Sequence, residues 1–164
     1  MFKFLYILII LLLSSCGFHP LYNNEATKEL AFIEIHDTNT ILNVKMNQEL
    51  SRLLYLQNRA TKAKYVLDVN VTCKYSDNII LSNSDIIEQT IDMKIDYHLK
   101  DKKSDATLVR STFNVADQLN NSVALYTASV NAEKTKNQLI NSAAKQIEQE
   151  LILFFLRNNE TISK

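Results

Sequence analysis

Glycine and proline occur once each in 164 residues, as Gly17 and Pro20, and both lie within four residues of Cys16. Everything after residue 20 must turn without them. That role passes to Asn, Asp and Ser, whose short polar side chains bond to nearby backbone and tolerate left-handed conformations. Clusters of these residues stand at 23–24, 36–40, 76–78, 82–85, 101–105 and 120–122 and divide the chain into six elements. Cysteine is nearly as scarce, with only Cys16 and Cys73, so paired-cysteine metal sites have no basis and stability must come from packing. A basic excess is missing too: 18 Lys and Arg balance 18 Asp and Glu, which leaves no long-range attraction for a polyanion and argues against nucleic acid as a partner. No phosphate loop and no G-x-S-x-G motif occurs. The three histidines, His19, His36 and His98, lack metal-ligand spacing and read as ordinary surface residues. No enzyme, metal or cofactor is expected.

What the chain does have is a greasy start. Phe4 to Leu13 is an apolar run of ten residues, too short for the roughly 20 that a membrane-crossing helix needs. With Lys3 before it and Ser14 and Ser15 after it, the run reads as the core of a signal peptide. Leu13-Ser14-Ser15-Cys16 is similar to the lipobox of bacterial lipoproteins, in which the cysteine is acylated and becomes the first residue after cleavage. The plainer alternative is a secretory signal that merely contains a cysteine. Cleavage before Cys16 leaves 149 residues carrying 17 basic and 18 acidic side chains, enough for one domain with a real core. With Cys16 acylated, Cys73 has no disulfide partner.

The body of the chain is strongly patterned. Leu30 to Ile35 reads as a short strand, followed by Leu42, Met46, Leu50, Leu53 and Leu54 at helical spacing, a helix from about Asn39 to Gln57. Tyr65 to Tyr75 alternates apolar and polar residues, as do Ile87 to Leu99 and Thr107 to Val115, which predicts three strands of an antiparallel meander, each with one wet face. Thr127 to Arg157 carries Leu139, Ile140, Ala143, Ala144, Ile147, Leu151, Phe154 and Phe155 on one broad stripe of a long last helix. The fold class is therefore α+β: a two-layer sandwich of order β-α-β-β-β-α, with two helices on one face of a four-stranded, mostly antiparallel sheet.

Cys16-Gly17-Phe18-His19-Pro20-Leu21-Tyr22 resembles the "CGF-x-PLY" start of alphaproteobacterial members of the LptE family, the lipopolysaccharide-assembly lipoproteins of the Gram-negative outer membrane. Element order and the alanine-dotted segment from Tyr126 to Leu151 carry the resemblance through nearly the whole mature chain. It implies residues 1–15 as a cleaved signal peptide, 16–28 as a lipidated segment, 29–158 as a single domain and 159–164 as a tail. It also implies a plug inside a large outer-membrane β-barrel, LptD, whose assembly the domain supports, and a role in passing lipopolysaccharide to the outer leaflet. The membrane is met through the lipid on Cys16, on the periplasmic side. The other reading is a generic lipid-anchored periplasmic adaptor of another envelope transport complex. Lipid A carries phosphates beside acyl chains, so a site for it needs cations next to exposed apolar groups. Lys94, Lys100, Lys102, Lys103 and Arg110 supply the cations, and Ile79, Ile80 and Leu81 supply apolar groups in a stretch expected to be loop. The plainer reading of these lysines is a solvated hairpin tip.

Overall fold

The computed structural model describes residues 24–55, 62–80, 86–120 and 125–162. Its elements are a short helix α1 (Asn24–Leu30), strand β1 (Ile33–Ile35), helix α2 (Ile41–Leu54), strands β2 (Tyr65–Ile80), β3 (Ile86–Asp101) and β4 (Thr107–Asn120), and the 38-residue helix α3 (Leu125–Ile162). The sheet runs in the order β1-β2-β3-β4, with β1 parallel to β2 and the remaining pairs antiparallel. The α+β sandwich and its element order are thus as the patterning predicts. One difference lies at the start: Leu30 ends α1 instead of opening a strand, and β1 shrinks to three residues.

The alternating strands bury one face almost completely. Ile91, Met93, Ile95, Tyr97 and Leu99 of β3 are at most 1% exposed, and Leu67, Val69 and Val71 of β2 join them. Onto this face α2 lays Met46, Leu50, Leu53 and Leu54, while α3 lays Leu139, Ile140, Ala143, Ala144, Ile147, Leu151 and Phe155. Apolar positions three and four apart leave the helices no other way to hide them. Burying a Leu or Ile side chain is worth about 1.5–3 kcal/mol.

Local chemistry starts and stops the elements. Thr40 is extended and its hydroxyl accepts from the Asn43 N–H at 3.3 Å, capping α2; the Tyr55 N–H closes the other end on the Ser51 carbonyl at 3.1 Å. At the β3–β4 turn, Asp101 Oδ1 accepts from the Lys103 and Ser104 amides and the Ser104 hydroxyl at 2.8–3.0 Å. Those Ser104 bonds, amide first, hold the Asp101 carboxyl below its usual range. Asp105 takes the left-handed conformation, φ 55°, that a glycine would supply in a chain that had one to spare.

Several expected turn residues lie in regular elements instead: Asn24 opens α1 and Asn120 ends β4. Ser76–Asn78 lies inside β2, which runs on to Ile80 through a register irregularity at Asp77–Ile80, while Gln89 donates to Asp77 across the ladder at 2.7 Å. A polar triplet can sit in a strand where an adjoining strand supplies the partners. For the same reason the backbone of Ile79 and Ile80 is ladder, paired with Glu88 and Ile86, rather than loop; Leu81 lies outside the described residues. Cys16 also lies outside them.

Candidate functional site

The face of the sheet turned away from the helices gathers the residues that sequence reading singled out. Because side chains alternate, β2 contributes Asp68, Asn70, Thr72 and Lys74 to it, β3 contributes Asp92, Lys94, Asp96, His98 and Lys100, and β4 contributes Arg110, Thr112 and Asn114. Register then decides who meets whom. Asp68, His98 and Arg110 stand opposite one another in a row across three strands, and Asn70, Asp96 and Thr112 form the next row.

Asp68 is the hub of the first row. His98 Nε2 lies 3.0 Å from one of its oxygens and His36 Nδ1 lies 3.5 Å from the other, while Lys100 Nζ stands 3.8 Å away and reaches Asp105 at 3.7 Å. In the second row the Thr112 hydroxyl donates to Asp96 at 2.6 Å and Lys94 pairs with it at 3.1 Å; the hydroxyl is the largest of the influences, with Lys94 and then Arg110, that keep this carboxyl below its usual range.

The five cations divide accordingly. Lys94 and Lys100 are ion-paired on the face, and Lys102 pairs with Glu34 of β1. Lys103, at the turn, and Arg110, on β4, make no salt bridge among the described residues, although the charge of Lys103 acts on Asp101 and that of Arg110 on Asp96. The positive charge of the sheet face and the turn is therefore largely answered from within.

Sequence reading missed the convergence of His36 and His98 on Asp68, because 32 and 30 residues separate them from it in the chain. The signal that could have found it is the hairpin register: pairing Tyr65 with Asp101 places Asp68 opposite His98. No group of three His, Cys, Asp or Glu side chains among the described residues is arranged to hold a metal. A groove of about 530 Å³ runs along the outer edge of β1 beside α2, lined by Ile35, Val44 and Tyr55 with Glu34, Asp37 and Asn47. Among the described residues, no helix is long and apolar enough to cross a membrane.

This arrangement of strands and helices is shared with solved structures of small bacterial lipoproteins. The chain superimposes on the crystal structure of a Caulobacter crescentus protein described as a lipoprotein, with TM-score 0.66 and 17% identity over 81% of this chain and 96% of that one. Rare lipoprotein B from Shewanella oneidensis matches with TM-score 0.60 and 12% identity over 77% and 96% of the two chains. The solution structure of lipoprotein B from Nitrosomonas europaea gives 0.58 and 15% over 74% and 81%. These likenesses show a shared fold. In sequence, the chain is 29% identical over 157 residues to an uncharacterized protein of Rickettsia prowazekii, covering 94% of this chain and 98% of that one. No family model matches.

Proposed function

We propose that the chain is an LptE-type lipoprotein: anchored by lipid on Cys16, it occupies the lumen of an LptD-like outer-membrane β-barrel, supports that barrel's assembly and assists insertion of lipopolysaccharide into the outer leaflet. The observation that carries this reading is the lipoprotein-type fold, shared with rare lipoprotein B over most of both chains, in a sequence that also has a lipobox followed by Gly17-Phe18-His19-Pro20-Leu21-Tyr22. The fold suits the task. One face of the sheet is closed by its own helices, and the other presents backbone-fixed polar rows that a barrel wall or a phosphorylated lipid can meet.

A single acyl chain binds a membrane only marginally, at about 0.8 kcal/mol per buried CH₂, so a durable anchor needs the several chains of a bacterial lipoprotein cysteine. Intact mass of the purified chain is expected to show loss of residues 1–15 and an acyl adduct on Cys16. Gly17, rather than an aspartate, follows that cysteine, and density-gradient fractionation is expected to place the chain with the outer membrane. The deciding experiment is affinity capture from detergent-solubilised outer membrane. A large β-barrel recovered in equal amount supports the proposal, whereas capture of a different transport complex supports the generic adaptor.

A further inference from the structure

The connection from β1 to α2, residues 36–40, is fixed at both ends. At one end the His36 N–H bonds the Leu67 carbonyl at 2.9 Å, and at the other the Thr40 hydroxyl caps α2. Between these ends opposing features meet. Two ties hold the connection down: the Asn47 side chain donates to the His36 carbonyl at 3.0 Å, and Oδ1 of Asp68 lies 3.5 Å from His36 Nδ1. Two atoms work against them. Thr38 Oγ1 and Asn47 Oδ1 are buried and have no hydrogen-bond partner among the described residues, a cost that solvation would relieve if the connection lifted. The closed position therefore depends on its side-chain ties. One of these ties responds to pH, because histidine gains its charge as pH falls from about 8 to 5 and an imidazolium is held by a carboxylate more firmly than a neutral imidazole is.

We propose that residues 36–39 form a pH-sensitive strap, clasped to the sheet through His36 and Asp68 in acid and released as pH rises. Asp37 and Thr38 of the strap line the groove beside β1 together with Asn47 and Gln48 of α2, so lifting the strap widens that groove. The clasp is shared. His98 Nε2 lies 3.0 Å from Oδ2 of Asp68 and Lys100 Nζ lies 3.8 Å from the same oxygen, so one negative charge serves three groups. Other charges about the clasp come from each neighbouring element. Asp37 adjoins His36 in the strap and is exposed, Glu34 of β1 is paired with Lys102, Asp105 of the turn with Lys100, and Arg110 of β4 stands opposite His98. On α2, Lys45 and Glu49 are paired with Glu133 and Arg52. His98 is thus the titrating competitor of His36 for Asp68. The strap is independent of the barrel reading.

The test is hydrogen exchange of the strap amides in the full chain purified in detergent micelles, read by mass spectrometry at about pH 5.5 and about pH 8. Protection is taken relative to intrinsic exchange at each pH and to the α2 amides of the same molecule. Exposed ion pairs are modest, so strap protection should be roughly two- to fivefold greater in acid. Asp68→Asn keeps the shape of the side chain and removes its charge, while His36→Gln alters an exposed side chain and removes the titrating group. Each should bring the ratio of the two protections to one. His98→Gln leaves Asp68 with one claimant fewer and should raise the ratio. Thr38→Val removes a buried, unpaired oxygen and should raise protection at both pH values alike. A wild-type ratio of one overturns the proposal, as does a ratio that survives both Asp68→Asn and His36→Gln. Protection in Thr38→Val no higher than in wild type also overturns it, since nothing would then oppose the clasp.

Discussion

The two faces of β3 are made from the same ten residues and obey different rules. Ile91, Met93, Ile95, Tyr97 and Leu99 share one dry core with residues of six other elements. Between them Asp92, Lys94, Asp96, His98 and Lys100 face outward, and the last four find partners one at a time. The inner face needs only apolarity and roughly the right volume, so each residue states its role locally. The outer face needs a particular neighbour at a particular distance, and only the register supplies it. Stability should therefore reside on the first face and recognition on the second.

The harshest challenge to that division is Ile147→Asp. Ile147 of α3 is fully buried against the sheet, and a carboxylate there has no cation to meet. A cost of about 4 kcal/mol or more is expected, a large share of a small domain's stability, so the circular-dichroism melt should be lost or fall far. An unchanged melt with loss of barrel binding would instead make the α3 stripe an interface.

A smaller loss is expected where the core contains a polar group. Asn43 is only 3% exposed, and its side chain ends the β1 side of β2 by accepting the Val71 N–H. Asn43→Ala leaves that amide buried and unpaired, which costs about 1–3 kcal/mol. Chemical denaturation should show a lower midpoint with an unchanged slope. Asn43→Asp keeps an acceptor but introduces a charge, so it should also destabilise, and less so as the pH falls.

These residues show what the sequence could and could not reveal. The inner rows of β2, β3 and α3 were legible because alternation and helical spacing are local signals that burial enforces. Asn43 was not, since an asparagine within a helical pattern says nothing of a strand 28 residues later. The turn at Asp101 was legible from its side chains, whereas Ser76–Asn78 looked like a turn and became strand because Gln89 of β3 supplies Asp77 with a partner. The site residues follow the same divide. Their placement on the wet face was predictable; the pairing of Lys102 with Glu34, and of two distant histidines with Asp68, required the register.

A gentler effect, with a sign opposite to that of most carboxylates, is expected at Glu148. It is 5% exposed on α3, and burial raises its pKa above the ordinary 4.5, against the opposing pull of Arg52 and Lys145. The folded chain then holds the proton more tightly than the unfolded chain. Stability contributed by this group is present below pH 4.5 and is lost as pH rises from there through the elevated folded value. Glu148→Gln should flatten that part of the pH–stability curve and raise the melting temperature at neutral pH. A slope unchanged by the substitution would place the carboxylate in contact with water.

The smallest effect on stability, and the most informative one on function, is expected on the outer face. Lys103 sits at the β3–β4 turn with no salt bridge among the described residues, whereas its neighbour Lys102 is paired with Glu34. Exposed ion pairs are worth about 0–1 kcal/mol, so neither Lys102→Glu nor Lys103→Glu should move the melting temperature appreciably. If the surface meets the phosphates of lipopolysaccharide, the two substitutions should still differ. Lys103→Glu removes an available cation and should weaken binding of purified lipopolysaccharide, most at low salt, where a surface charge acts over a longer Debye length. Lys102→Glu should weaken it further, because it also takes the Lys102 cation away from Glu34 and adds a second negative charge at the same edge. Glu34→Gln, which frees Lys102, should strengthen binding instead. The measurement is lipopolysaccharide affinity at two ionic strengths for the three variants. Three equal affinities would remove the turn from any lipid-binding surface and leave the open face to protein contact, where the polar rows on Asp68 and Asp96 would be the residues to change next.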